Sequence, residues 1–100
     1  MRLGLYGCEL RKGSHVYEVY GSDSISERHR HRYEFNNKYL EDYERNGMMC
    51  VGRNVENNLV EIVEIPSHRW FTGTQFHPEY SSTVLRPHPL FVDFVKACIR

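Results

Sequence analysis

The sequence predicts a mixed α/β layer arrangement, rich in strands and carrying two main helices. Three observations predict it. Residues 48–52 and 59–65 are short segments rich in apolar residues and joined through residues 53–58, where Asn57-Asn58 signals a turn, and both read as strands. Leu90, Phe91, Phe94, Val95 and Cys98 recur at helical spacing behind Pro89, a residue that the first turn of a helix tolerates. Tyr39, Leu40 and Tyr43 repeat that spacing behind Asn36 and Asn37, either of which can cap a helix.

In chain order, residues 2–10 read as a strand. Leu3 and Leu5 alternate with other residues there, and Gly4 and Gly7 leave the backbone open to close approach. Arg11-Lys12-Gly13 is a turn. Ser14 can cap a helix that runs to Tyr20 and ends at Gly21. Val16, Tyr17, Val19 and Tyr20 suit a strand equally well, and periodicity leaves the two open. Residues 21–26 form a polar loop, and residues 27–35 alternate charge with imidazole, a short strand at best. The helix through Tyr43 stops at Gly47. Asn57-Asn58 turns the chain between the two apolar strands, and Pro66 closes the second. Residues 70–76 make another strand, running into Pro78. A doubly wound sheet buries both faces. The chain supplies little to cover both, so further elements are expected ahead of Met1.

At 100 residues and 11.9 kDa the chain allows one domain. Its 13 Lys and Arg balance 13 Asp and Glu, which gives no global argument for nucleic acid or an acidic membrane. A hydrophobic fraction of 40% points to a packed core rather than disorder. Cys8, Cys50 and Cys98 show no C-x-x-C spacing, so neither a disulfide framework nor a zinc knuckle is indicated. They read as reduced thiols of a cytoplasmic protein. The first ten residues lack a signal peptide's basic start and apolar run. No stretch approaches the ~20 apolar residues that span a bilayer.

The segment TQFHPEY at 74–80 carries the most chemistry. Proline steers His77 toward extended geometry, where His77 and Glu79 point to one side. A carboxylate beside an imidazole can orient it as a general base, leaving the second nitrogen for a nucleophile. HPE alone reads more readily as an exposed surface pair. In ERHRHRYE at 27–34, arginines 28, 30 and 32 alternate with histidines 29 and 31. As a strand this puts guanidinium groups on one face and imidazoles on the other. Arg28 and Arg30 are expected in surface salt bridges. His29-x-His31 could chelate a metal but lacks further ligands, and structural histidines are the expectation.

QFHPEY resembles the catalytic His/Glu signature of the class I glutamine amidotransferases. ERHRHRYE, with MRLG at 1–4, LVEIVE at 59–64, HRWF at 68–71 and HPLF at 88–91, resembles the CTP-forming branch of that family. These matches span nearly the whole chain. The resemblance implies a flavodoxin-like α/β fold, of which residues 1–100 are the C-terminal portion, incomplete because the nucleophile elbow and the amidoligase domain are absent. It implies a Cys-His-Glu triad to which His77 and Glu79 belong, and Arg32 as the glutamine-binding arginine. The implied partners are L-glutamine, the upstream half of the amidotransferase domain, and an amidoligase domain that converts UTP to CTP, in a homo-tetramer. ATP and magnesium are implied for the full enzyme; no cofactor, metal, nucleic acid or membrane is expected in this portion. None of the three cysteines stands in the G-x-C-x-G setting of the elbow, so all are assigned to packing or surface and the isolated chain is expected to be inactive. The chain is either a truncated product or one half of a split enzyme. The alternatives are the tail of another class I amidotransferase and a non-catalytic remnant that binds a partner.

Overall fold

The computed structural model describes residues 2–31 and 34–99. In chain order the elements are β1 (Arg2–Leu10), α1 (His15–Tyr20), β2 (Ser24–His31), α2 (Leu40–Arg45), β3 (Met49–Asn54), β4 (Val60–Glu64), β5 (Thr72–Thr74) and α3 (Pro89–Cys98). Single 3-10 turns lie at Asn37–Tyr39 and Pro78–Ser81. The strands form one sheet in the order β2-β1-β3-β4-β5, and every neighbouring pair is antiparallel.

That pairing corrects the expectation of a doubly wound sheet for these residues. Parallel neighbours need a crossover of a dozen or more residues, and the link from β3 to β4 is a short turn instead. Asn54 Oδ1 accepts from the backbone N–H of Glu56 (2.8 Å) and Asn57 (3.1 Å), and Asn58 takes a left-handed φ of 59°, a conformation asparagine tolerates.

α1 resolves the helix-or-strand alternative. Ser14 Oγ accepts from the Tyr17 N–H at 3.1 Å, and Gly21 ends the helix at φ 71°. From β4, the buried Glu64 carboxylate accepts from the N–H groups of His15 (3.0 Å) and Val16 (3.3 Å). These are otherwise orphaned donors of a helix start, and their partner lies far away in sequence.

The second main helix is smaller than expected, and with α1 the described residues hold three helices rather than two main ones. Asn36 does cap, accepting from the Lys38 N–H at 3.0 Å, and Gly47 follows the helix with φ 97°. Between them lie only a 3-10 turn and the six-residue α2, with no buried residue. Asn37 bonds across to the β3–β4 turn, donating to the Asn58 carbonyl (2.9 Å) and accepting from the Val60 N–H (3.3 Å). In α3 the apolar stripe is only partly a core face: Leu90 and Ala97 are buried, while Phe91, Phe94, Val95 and Cys98 remain exposed.

Cys8 and Leu10 of β1, Val16 of α1, Val51 of β3, Ile62 of β4, Leu90 of α3, and Phe76 from the segment after β5 form one core cluster. In β4, Val60, Glu61, Ile62 and Glu64 are all buried, the pattern of a strand covered on both faces. Among the described residues no helix is long and apolar enough to cross a membrane.

β2 is longer at its start than the sequence expectation. It begins at Ser24, inside the predicted loop, and pairs with β1 over its full length, Tyr6 opposite Glu27 and Leu5 opposite Arg28. Glu27 and His29 point inward and are buried, while Arg28 and Arg30 point out. The strand has an inner row, but a polar one.

Gly52 sits where a side chain has no room. A Cβ there would come within 2.8 Å of Ile62 Cγ1 and 3.0 Å of Cys8 Sγ. Gly52→Ala is expected to lower unfolding free energy by about 1–3 kcal/mol, the range for an overpacked core, as read from denaturant unfolding. An unchanged midpoint would show that β3 and β4 are less tightly packed than described.

Candidate active site around His77

Pro78 governs the local backbone. His77, before the proline, is extended at φ −108° and ψ 91°. Proline suits the first position of a helical turn, and Pro78–Ser81 curl into a 3-10 turn with His77 at its N-cap. The expected strand-like presentation of His77 and Glu79 is therefore corrected, because Glu79 lies in the first turn and the curl brings it to His77. The side chains still meet, with His77 Nδ1 2.7 Å from Glu79 Oε2. They are 35% and 54% exposed, so the pair is open to solvent.

β2 holds the histidine. The His77 N–H donates to the Arg28 carbonyl at 2.8 Å, and His77 Nε2 lies 3.2 Å from the Arg30 carbonyl. Both carbonyls are on the strand's outer edge, since β2 ends the sheet. Tyr80 stacks on the imidazole, ring centroids 5.0 Å apart and planes 17° apart. The second nitrogen, expected to be free for a nucleophile, thus faces a backbone oxygen.

Acceptors on both nitrogens favour the imidazolium. The Glu79 hydrogen bond, above all, raises the His77 pKa; desolvation opposes it, and the Arg30 carbonyl adds to the rise. Reciprocally, the bond from His77 is the chief cause that lowers the Glu79 pKa. The raised histidine contributes stability below its unfolded pKa and loses it as pH rises through the folded value. The lowered glutamate contributes above its unfolded pKa and loses it as pH falls through the folded value. The ion pair is therefore complete between these limits, and solvent screening keeps its contribution to stability small.

Behind β2 lies a second polar cluster. His29 Nδ1 is 2.9 Å from His31 Nε2, and His29 Nε2 is 3.3 Å from Glu61 Oε2 of β4. Tyr6 and Phe76 present ring edges to His29. Among the described residues no group of three or more His, Cys, Asp or Glu side chains is arranged to hold a metal ion. Arg28 and Arg30 are exposed and, among the described residues, form no salt bridge, contrary to the surface pairs expected for them. Arg32, expected to bind glutamine, lies outside the described residues.

The family model for glutamine amidotransferase class-I matches residues 1–97. The chain belongs to the class I glutamine amidotransferases. The CTP synthase of Bacteroides thetaiotaomicron is 70% identical over 99 residues, which cover 99% of this chain and 18% of that protein. The CTP synthase of Bdellovibrio bacteriovorus is 59% identical over 100 residues, covering 100% and 19%. The solved glutaminase domain of Trypanosoma brucei CTPS with bound acivicin superposes with a TM-score of 0.90 at 38% identity, over 97% of this chain and 39% of that one. The chain thus spans less than a fifth of the length of the curated relatives it matches.

Within this amidotransferase segment, Cys8 and Cys50 are buried and Cys98 is exposed. Burial, chiefly, pushes the Cys50 thiol pKa up, the opposite of what a reactive thiolate needs. Sequence reasoning missed Glu27 and His88, which are buried against each other. The signal for His88 was its place ahead of Pro89, where it caps α3 by accepting from the Leu90 N–H at 3.1 Å.

In a titration followed by NMR, the His77 ring should ionise above the ordinary histidine value, and Glu79→Gln should return it toward that value. A titration unmoved by Glu79→Gln would show that the 2.7 Å contact does not persist in solution.

Proposed function

We propose that this chain is the C-terminal portion of the glutamine-hydrolysing domain of a CTP synthase, and that His77 and Glu79 complete a Cys-His-Glu triad whose cysteine lies on another stretch of polypeptide. The observation that carries this is the 2.7 Å contact between His77 Nδ1 and Glu79 Oε2 in a chain similar throughout to CTP synthases. The flavodoxin-like part of the fold and the nucleophile elbow belong, on this proposal, to the remainder of the domain.

The carboxylate fixes the tautomer. Glu79 accepts from Nδ1–H, which directs Nε2 to the thiol. Nε2 exchanges the Arg30 carbonyl for the cysteine sulfur and takes its proton, giving thiolate and imidazolium. The raised His77 pKa favours that charged state. The thiolate adds to the side-chain amide carbon of glutamine. Nε2–H then protonates the amide nitrogen, the C–N bond breaks, and ammonia leaves a γ-glutamyl thioester. Water, deprotonated by Nε2, attacks the thioester; glutamate departs and the thiol is restored. The ammonia serves an amidoligase domain that makes CTP from UTP. ATP and magnesium act in that domain, in a cytoplasmic homo-tetramer, and no residue of this chain is assigned to them. Arg32 binds the glutamine carboxylate as a planar, bidentate partner.

The test is a graft. This chain replaces the matching 99 residues of the Bacteroides thetaiotaomicron CTP synthase. The hybrid should make CTP from glutamine, and His77→Ala should cut glutamate release at least about a hundredfold while CTP formation from added ammonia persists. Arg32→Ala should raise KM for glutamine by roughly ten- to a hundredfold, the loss of a charge-assisted hydrogen bond. Undiminished glutamate release in His77→Ala, or saturable release by the isolated chain that depends on Cys8, Cys50 or Cys98, contradicts the proposal.

A further inference from the structure

We propose that the buried Glu27–His88 pair is a positioning device that fixes the far end of the His77–Glu79 turn. The inference rests on the catalytic role proposed above for that turn. Glu27 of β2 and His88 at the start of α3 are 3% and 2% exposed. Glu27 Oε2 accepts from the Tyr20 hydroxyl at 2.6 Å and from His88 Nε2. Its other oxygen, Oε1, accepts from Ser81 Oγ at 3.3 Å. Ser82 Oγ, next in the chain, accepts from the His88 N–H at 2.9 Å. His88 Nδ1 is committed to the Leu90 N–H at 3.1 Å, so its Nε2 carries the proton and faces the carboxylate.

The turn is therefore tied twice to adjacent residues of one strand. Its first residue, His77, bonds the Arg28 carbonyl; its last, Ser81, bonds the Glu27 side chain. Glu79 and Tyr80 lie between the ties. A purely structural role would not call for a buried carboxylate here, because apolar side chains of the same shape hold elements together as well or better. An apolar residue at 27 could not hold Ser81. Tyr20 joins the pair as a firm donor, its hydroxyl pKa pushed far up by burial and then by Glu27.

The graft described above provides the test. The Ser81→Ala, Ser82→Ala double variant releases the turn while leaving Glu27, His88 and Tyr20 bonded to one another. It should lower kcat for glutamate release by roughly tenfold, as a misplaced catalytic group does. KM for glutamine and the ammonia-driven rate should stay unchanged. Glu27→Gln keeps the shape, with its amide donating to Ser81 Oγ, and should recover most of the kcat that Glu27→Ala loses. If His77→Ala abolishes turnover but the double serine variant keeps the parental kcat, the positioning role is overturned while the catalytic proposal stands. If His77→Ala itself retains turnover, both fall.

Discussion

The outer edge of β2 is the constraint on which the candidate site depends. An edge strand offers a row of unpaired carbonyls, and here two of them, on Arg28 and Arg30, meet the backbone and ring of His77. Successive outward carbonyls belong to alternate residues, so one strand sets both the height of the histidine and the direction of its ring. Any slip of β2 against β1 by one residue would turn Glu27 and His29 outward and bring Arg28 and Arg30 into the interior. The register that buries the inner row therefore also locates the histidine.

That inner row is costly to bury. Glu27 and His29 are taken from water without apolar compensation, and each is matched by partners from distant elements: Tyr20, Ser81 and His88 for Glu27, Glu61 for His29. Once these partners are in place, the strand, the turn after His77 and the start of α3 can hardly move independently. The exposed His77–Glu79 pair can then be geometrically defined despite its contact with solvent. A carboxylate on one side and a carbonyl on the other favour a charged ring. That ring suits a step in which a proton is handed to a leaving amine.

Much of the fold was legible in the sequence because it follows from local rules. β1 has the predicted bounds, and β3 and β4 stand where short apolar runs lie between turn formers. Ser14, Asn36, Gly21 and Gly47 act at helix ends as their chemistry dictates. What local rules could not supply was long-range satisfaction. α1 is a helix because Glu64, on β4, completes its first turn. In β2 the alternation of arginine and histidine was legible, but its start at Ser24 and the burial of Glu27 and His29 were not, because only their partners in space make the burial of an acid and an imidazole tolerable. The α3 stripe was visible, but not that much of it would face outward. At the site, HPE marked the residues in contact, whereas the turn that joins them and the carbonyls behind the ring are properties of the folded chain.

The central claim is that His77 and Glu79 act on the substrate as a single unit. A double-mutant cycle in the grafted CTP synthase measures it most directly, with kcat/KM for glutamate release determined for His77→Ala, Glu79→Ala and the pair together. If Glu79 works only by orienting the imidazole, the double variant will be no slower than His77→Ala alone. Fully additive losses would mean that the carboxylate acts separately from the histidine, and would contradict the account.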